Sequence, residues 1–144
     1  MYRKLAWAIS INAVVMFLLT YAMIADVSHF YVNINRVYMA LMMAAPMVLV
    51  MLFAMRSMYE NRKLNSALYV VFGGLFVLTF ALARTQTPVG DTQFLRSMIP
   101  HHSSAILMCE EAAITDGEIK RLCEQIVKSQ REEISQMKAM LARH

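Results

Sequence analysis

Three long uncharged apolar runs constrain this chain more than anything else in it. Leu5 to Ile24 is interrupted only by Ser10, Asn12 and Thr20, while Val37 to Met55 and Ala67 to Ala83 carry no charge at all. Each run is near the ~20 residues a helix needs to cross a hydrocarbon core, and in lipid the backbone must satisfy its own polar groups, so helices are the expected form. The whole of residues 1–84 holds only Asp26 and Glu60 as acids. The reading is an all-α protein with three transmembrane helices over about 5–24, 37–55 and 67–83, in a membrane domain 1–84. The first run is too long, and lacks an Ala-x-Ala site, for a cleaved leader. Gly73-Gly74 is expected at a close helix contact, and Asn12 in a hydrogen bond between helices.

Positive charge sets the expected orientation. Arg3 and Lys4 precede the first span and Arg56, Arg62 and Lys63 lie between the second and third, against Arg36 and Arg84 on the other side. By the bias of basic residues toward the cytoplasm, the N-terminus is cytoplasmic and residues 85–144 lie in the periplasm or outside the cell, with the spans in a bacterial inner membrane. Tyr2, Trp7, Tyr21, Tyr31, Tyr38, Tyr59 and Tyr69 fall at or near span ends, where amphipathic rings favour the headgroup layer. The net charge of +4 is thus a topology signal and does not point to nucleic acid.

Beyond a linker at 85–90 with both Pro88 and Gly90, the pattern becomes that of two amphipathic helices, an antiparallel hairpin over 91–144. Asp91 is the expected N-cap of the first. Phe94, Met98, His101 or His102, Ala105, Cys109 and Ala112 recur at helical spacing, in phase across Pro100. Thr115 and Glu118 have the spacing of a capping box for the second helix, whose stripe is Ile119, Leu122, Ile126, Ile134, Met137 and Leu141. A turn near residue 116 brings together positions summing to about 232. His102 then faces Gln130, Met98 faces Ile134 and Cys109 faces Cys123, with Glu133 and Met137 within a turn of the histidines. A Cys109–Cys123 disulfide suits an oxidising compartment and closes a loop worth about 3 kcal/mol; thiolate ligation is the alternative. Two helices of this size bury little surface, and pairing with another copy, a homo-oligomer, is the simplest remedy, though the membrane region could equally serve as the second layer.

Chemistry concentrates in Met98-Ile99-Pro100-His101-His102. A thioether with two imidazoles suits copper, Cu(I) above all. On a helix Met98 lies i+3 from His101 and i+4 from His102, so it can meet either ring. The two rings diverge by about 100°, so a second helix or chain must complete a site. The alternative gives one histidine to solvent and the other to the Arg96 carbonyl, which Pro100 leaves without its usual donor.

The order Asp91-x-x-Phe94-Leu95-x-x-Met98-Ile99-Pro100-His101-His102-x-x-Ala105-Ile106-x-Met108, then Asp116-x-Glu118, Gln130, Glu133-Ile134 and Met137, resembles the CopM-like family, long catalogued as a domain of unknown function. That resemblance covers about 91–142 and implies a ferritin-like helical domain outside the cytoplasm that binds copper and aids tolerance to it. Carried over by position, it implies Met98, His101, His102 and Met137 as ligands, with Met108 as a further candidate. The cysteines stand where small residues are expected in that family, and the fusion to three spans is a second departure.

A rival copper path lies in the second span, where Met39, Met43, Met47, Met51 and Met55 recur every four residues and form a ridge drifting about 40° per step. Met-x-x-x-Met in the middle of three spans resembles eukaryotic copper importers, which implies a conducting oligomer. A structural accessory subunit of a larger membrane complex is the third reading. No Glu-x-x-His pairs, hydrolytic triad, phosphate loop or zinc signature is present, so binding rather than catalysis is expected.

Overall fold

The computed structural model describes residues 2–144. It is helical throughout, without a strand among the described residues: α1 is Tyr2–Leu19, a 3-10 turn is Val27–His29, α2 is Ile34–Ala54, α3 is Arg62–Thr85, α4 is Asp91–Glu111 and α5 is Gly117–Leu141. The chain forms two compact units, one of residues 1–20 and 35–88, the other of residues 21–34 and 89–144.

In the first unit α1, α2 and α3 are all long and apolar enough to cross a membrane. Leu5, Val48, Leu52 and Tyr59 form its buried core, with Met51, Met55, Leu68 and Phe72 packed around them. The buried face of α2 is small where Ala40, Ala44 and Ala45 fall, which allows close helix approach without large side chains. Asn61 caps α3 by accepting from the Leu64 amide at 3.0 Å, and Tyr2 donates to Asn65 Oδ1 at 3.0 Å.

Local expectations give way here to tertiary ones. Nothing lies within 4 Å of a Cβ built on Gly73 or Gly74, so the pair makes no close helix contact within the chain. The Oδ1 atom of Asn12 is buried without a hydrogen-bond partner, in place of the interhelical bond expected of it. Tyr21, Tyr38 and Tyr59 are buried within the chain; Tyr38, for example, donates to the Thr87 carbonyl at 2.5 Å. The first helix ends at Leu19 and not at residue 24. The Thr20 hydroxyl bonds the Phe17 carbonyl at 2.6 Å, competing with the helix ladder, and Tyr21 turns away to bond Tyr31 O at 2.8 Å.

In the second unit α4 and α5 pack together around Leu95, Ile99, Ile106, Ile134 and Met137. Met98, Val127, Leu141 and Tyr31 lie against that cluster. Pro100 sits inside α4, which runs on through it. The sulfurs of Cys109 and Cys123 stand at disulfide distance, with Cα atoms 5.3 Å apart. Asp116, not Thr115, caps α5, accepting from the Glu118 and Ile119 amides at 2.8 and 3.0 Å. A carboxylate there also meets the positive end of the helix dipole, which a hydroxyl does less well. Asp91 lies within the first turn of α4 behind an N-cap at Gly90, and acts on the dipole without capping.

Residues 21–34 pack on α4 and complete this unit, although they separate α1 from α2 in the sequence. Ala25 N donates to Ser103 Oγ at 2.8 Å, Ile34 N donates to Gln93 Oε1 at 3.0 Å, and Asn33 reaches the Arg96 carbonyl at 3.3 Å. Ser103 and Ile99 are fully buried as a result.

Candidate metal centre

His102 is the best-held of the candidate ligands. It is buried at 8% exposure, and its Nδ1 lies 2.9 Å from the Met98 carbonyl. A carbonyl only accepts, so Nδ1 carries a hydrogen and Nε2 is the nitrogen left for other partners. That is the orientation in which ligating histidines are ordinarily held, one ring nitrogen donating to a carbonyl and the other free to bind. Here Nε2 is not free but donates to Glu133 Oε2 at 2.7 Å, so a metal would have to displace that bond. The other carboxylate oxygen accepts from Ser129 Oγ at 2.7 Å, and the bonds from Ser129 and His102 hold the Glu133 carboxyl below its usual range. Glu133 therefore stands, ionised, at the position from which a metal would reach His102.

The other candidates divide. Met137 is buried and Met98 half-buried, and both belong to the apolar cluster between α4 and α5. His101 is exposed, its ring centroid 6.1 Å from that of His102. Met108 is 60% exposed and outside the cluster. The expected facing pair of His102 and Gln130 is replaced by His102 and Glu133, a slip of three positions along α5. Nor does either histidine take the Arg96 carbonyl; Asn33 does, and His102 bonds one half-turn further on, to Met98. Among the described residues no group of three His, Cys, Asp or Glu side chains is close enough to hold a metal ion. As a test of fit for copper, a donor set of two thioethers and two imidazoles suits it, but His102 Nε2 is taken by Glu133 and His101 is exposed to solvent.

The methionine row of α2 is split. Met39, Met43 and Met47 are 47, 40 and 44% exposed, whereas Met51 and Met55 turn onto the apolar core of the first unit. Met47, Met51 and Asn12 line a small cavity of about 80 Å³.

His29 and Ser103 were invisible as a pair in the sequence. His29 Nδ1 lies 2.8 Å from Ser103 Oγ, Asp26 accepts from the Ser28 amide at 2.6 Å, and Lys138 Nζ donates to Ser28 Oγ at 3.0 Å. Burial first, and then the nearby Lys138 charge, push the His29 pKa below 6.5, with Asp26 opposing. A histidine held neutral in the folded chain takes up its proton more readily when unfolded, so acid favours unfolding. Stability contributed by His29 is expected to be full above pH 6.5 and to fall as pH drops through the lowered folded value. Thermal unfolding measured from pH 7.5 to 5 should show this slope, and His29→Gln should flatten it.

The domain of unknown function DUF305 matches residues 79–141, from the last turns of α3 to the end of α5. The chain is also similar to uncharacterized protein L153 of Acanthamoeba polyphaga mimivirus, 33% identical over 111 residues that cover 76% of this chain and 71% of that one. Only three residues follow 141, so an alignment of 111 residues reaches back into the apolar helices. The chain belongs to the DUF305 family. No solved structure matches it.

Proposed function

We propose that this is a membrane-anchored copper-binding protein that presents a Met and His site outside the cytoplasm, for copper tolerance, buffering or delivery. The hairpin of α4 and α5 is then half of a ferritin-like bundle on the periplasmic side of an inner membrane. Met98, His101, His102 and Met137 are its ligands, and Met108 is left aside. The observation that carries the reading is the setting of His102, whose Nδ1 is tied to the Met98 carbonyl and whose Nε2 meets Glu133, on a helix pair whose apolar cluster includes Met98 and Met137. Met98 and Met137 would supply the soft donors that favour Cu(I), and the imidazoles would add the nitrogen donors.

The test is anaerobic Cu(I) titration, against a chromophoric competitor, of the full chain in detergent. Residues 91–144 alone would lack the segment that covers Ile99 and Ser103, so the excised part is the wrong sample. Replacing His101 and His102 together by alanine should weaken Cu(I) binding by about a hundredfold or more, since even outer-shell changes cost about 10–100-fold. Unchanged affinity and stoichiometry would remove the site and leave the α2 methionines as the candidate path.

A further inference from the structure

One flank of the α4–α5 pair is covered by residues 21–34, through Ser103 on α4 and Lys138 on α5. The opposite flank is bare. On α4 it carries Phe94, Met98, His101, Ala105 and Met108, spaced 4, 3, 4 and 3, the seam pattern of helices that pair through one stripe. Phe94 and Met108 are 50 and 60% exposed, and on the same side of α5 Ile119 and Leu122 are 50 and 54% exposed. A contiguous apolar face of this kind on an extramembrane domain marks an interaction surface.

We infer that this face binds a second copy of the chain, with a two-fold axis passing beside His101, so that the copper site is completed between copies. Three observations favour an identical partner. His101 is the middle residue of the five-residue stripe, and a two-fold axis there sets it against itself whichever way the helices run. His101 stands exposed, apart from the Nε2 of His102, which is taken by Glu133; a second copy brings another His101 and another Met98 to the same place. The size also fits. A helix of 21 residues at 1.5 Å per residue, beside a second helix, presents about 600 Å², near the ~800 Å² per partner of a specific interface. The metal half of this inference rests on the copper reading; the pairing half does not.

The experiment uses the full chain in detergent carrying His101→Cys, treated with a short bismaleimide, with and without Ala105→Arg. Ala105 is part-exposed at the surface of α4, so one copy accommodates arginine while the seam does not. The expected result is a cross-linked dimer that Ala105→Arg abolishes. Phe94→Ser is a second seam variant with the same expected loss, should the arginine chain not fold. In parallel, chains with His101 intact should bind one Cu(I) per two copies through this site, and Ala105→Arg should weaken that binding at least tenfold. Failure to cross-link, or cross-linking indifferent to both seam variants, overturns the pairing, and a lipid surface or a foreign protein then covers the face. Undiminished Cu(I) affinity in Ala105→Arg overturns the shared site and leaves copper binding by one chain intact. A seam-dependent dimer that binds no Cu(I) sustains the pairing and sinks the copper reading.

Discussion

Replacing Asn33 by alanine is expected to destabilise the second unit by about 1–3 kcal/mol, as follows from leaving the part-buried Arg96 carbonyl without its donor. Asn33 is only 2% exposed. Its amide lies 2.9 Å from the Tyr31 carbonyl and 3.3 Å from that of Arg96. In an unbroken helix the Arg96 carbonyl would accept from the amide of residue 100, but that residue is proline and has none. Asn33 thus supplies from another segment the donor that the Met-Ile-Pro-His-His turn gave up. Pro100→Ala should return the amide to α4 and make Asn33 partly redundant. In a double-mutant cycle followed by thermal unfolding in detergent, Asn33→Ala should cost about 1 kcal/mol less in the Pro100→Ala background, within the range of coupled neighbours. Strict additivity would mean that Asn33 does not serve the orphaned carbonyl.

That cycle also marks where sequence reading stops. The three long apolar helices were legible because hydropathy is a local property, visible in each run of 17 to 20 residues without reference to any other. The α4–α5 pair was legible from its 3.6-residue period, and Cys109 could be set opposite Cys123 because both lie close to one turn, where a register estimate has little length over which to drift. The same estimate slipped at His102, farther from the turn, and put Gln130 where Glu133 stands. Asn33, His29 and Ser103 gave no signal at all. His29 and Asn33 are polar residues in a segment that reads as a connection between apolar runs, Ser103 is an ordinary polar residue of α4, and the partner of each lies more than 60 positions away. The orphaned Arg96 carbonyl was deducible from Pro100, and the need for a donor with it; the choice of donor was a tertiary matter. Gly73-Gly74 failed for the opposite reason. Small residues permit a close approach but do not cause one, and within this chain no neighbour uses the space.

The second large effect is expected at His102 and Glu133, where the two residues should respond to substitution in opposite directions. His102→Ala removes a donor nitrogen already oriented by the Met98 carbonyl, and Cu(I) affinity should fall by about a hundredfold, as for a ligand whose outer shell alone is worth about 10–100-fold. Glu133→Gln keeps the shape of the contact but removes the charge that holds Nε2 at 2.7 Å. A carboxylate is a hard donor that Cu(I) does not favour, so in the metal-free chain Glu133 competes with the ion for the ring. Its loss should raise Cu(I) affinity several-fold while lowering affinity for Cu(II), which accepts oxygen ligands. Ser129→Ala, which frees the other carboxylate oxygen, should act in the same direction as Glu133→Gln but more weakly. Competition titrations with both oxidation states separate the roles. A Glu133→Gln chain that lost Cu(I) and Cu(II) affinity alike would identify the carboxylate as a support for the ring and not as its competitor, and the site would then have to open by some movement other than release of Nε2.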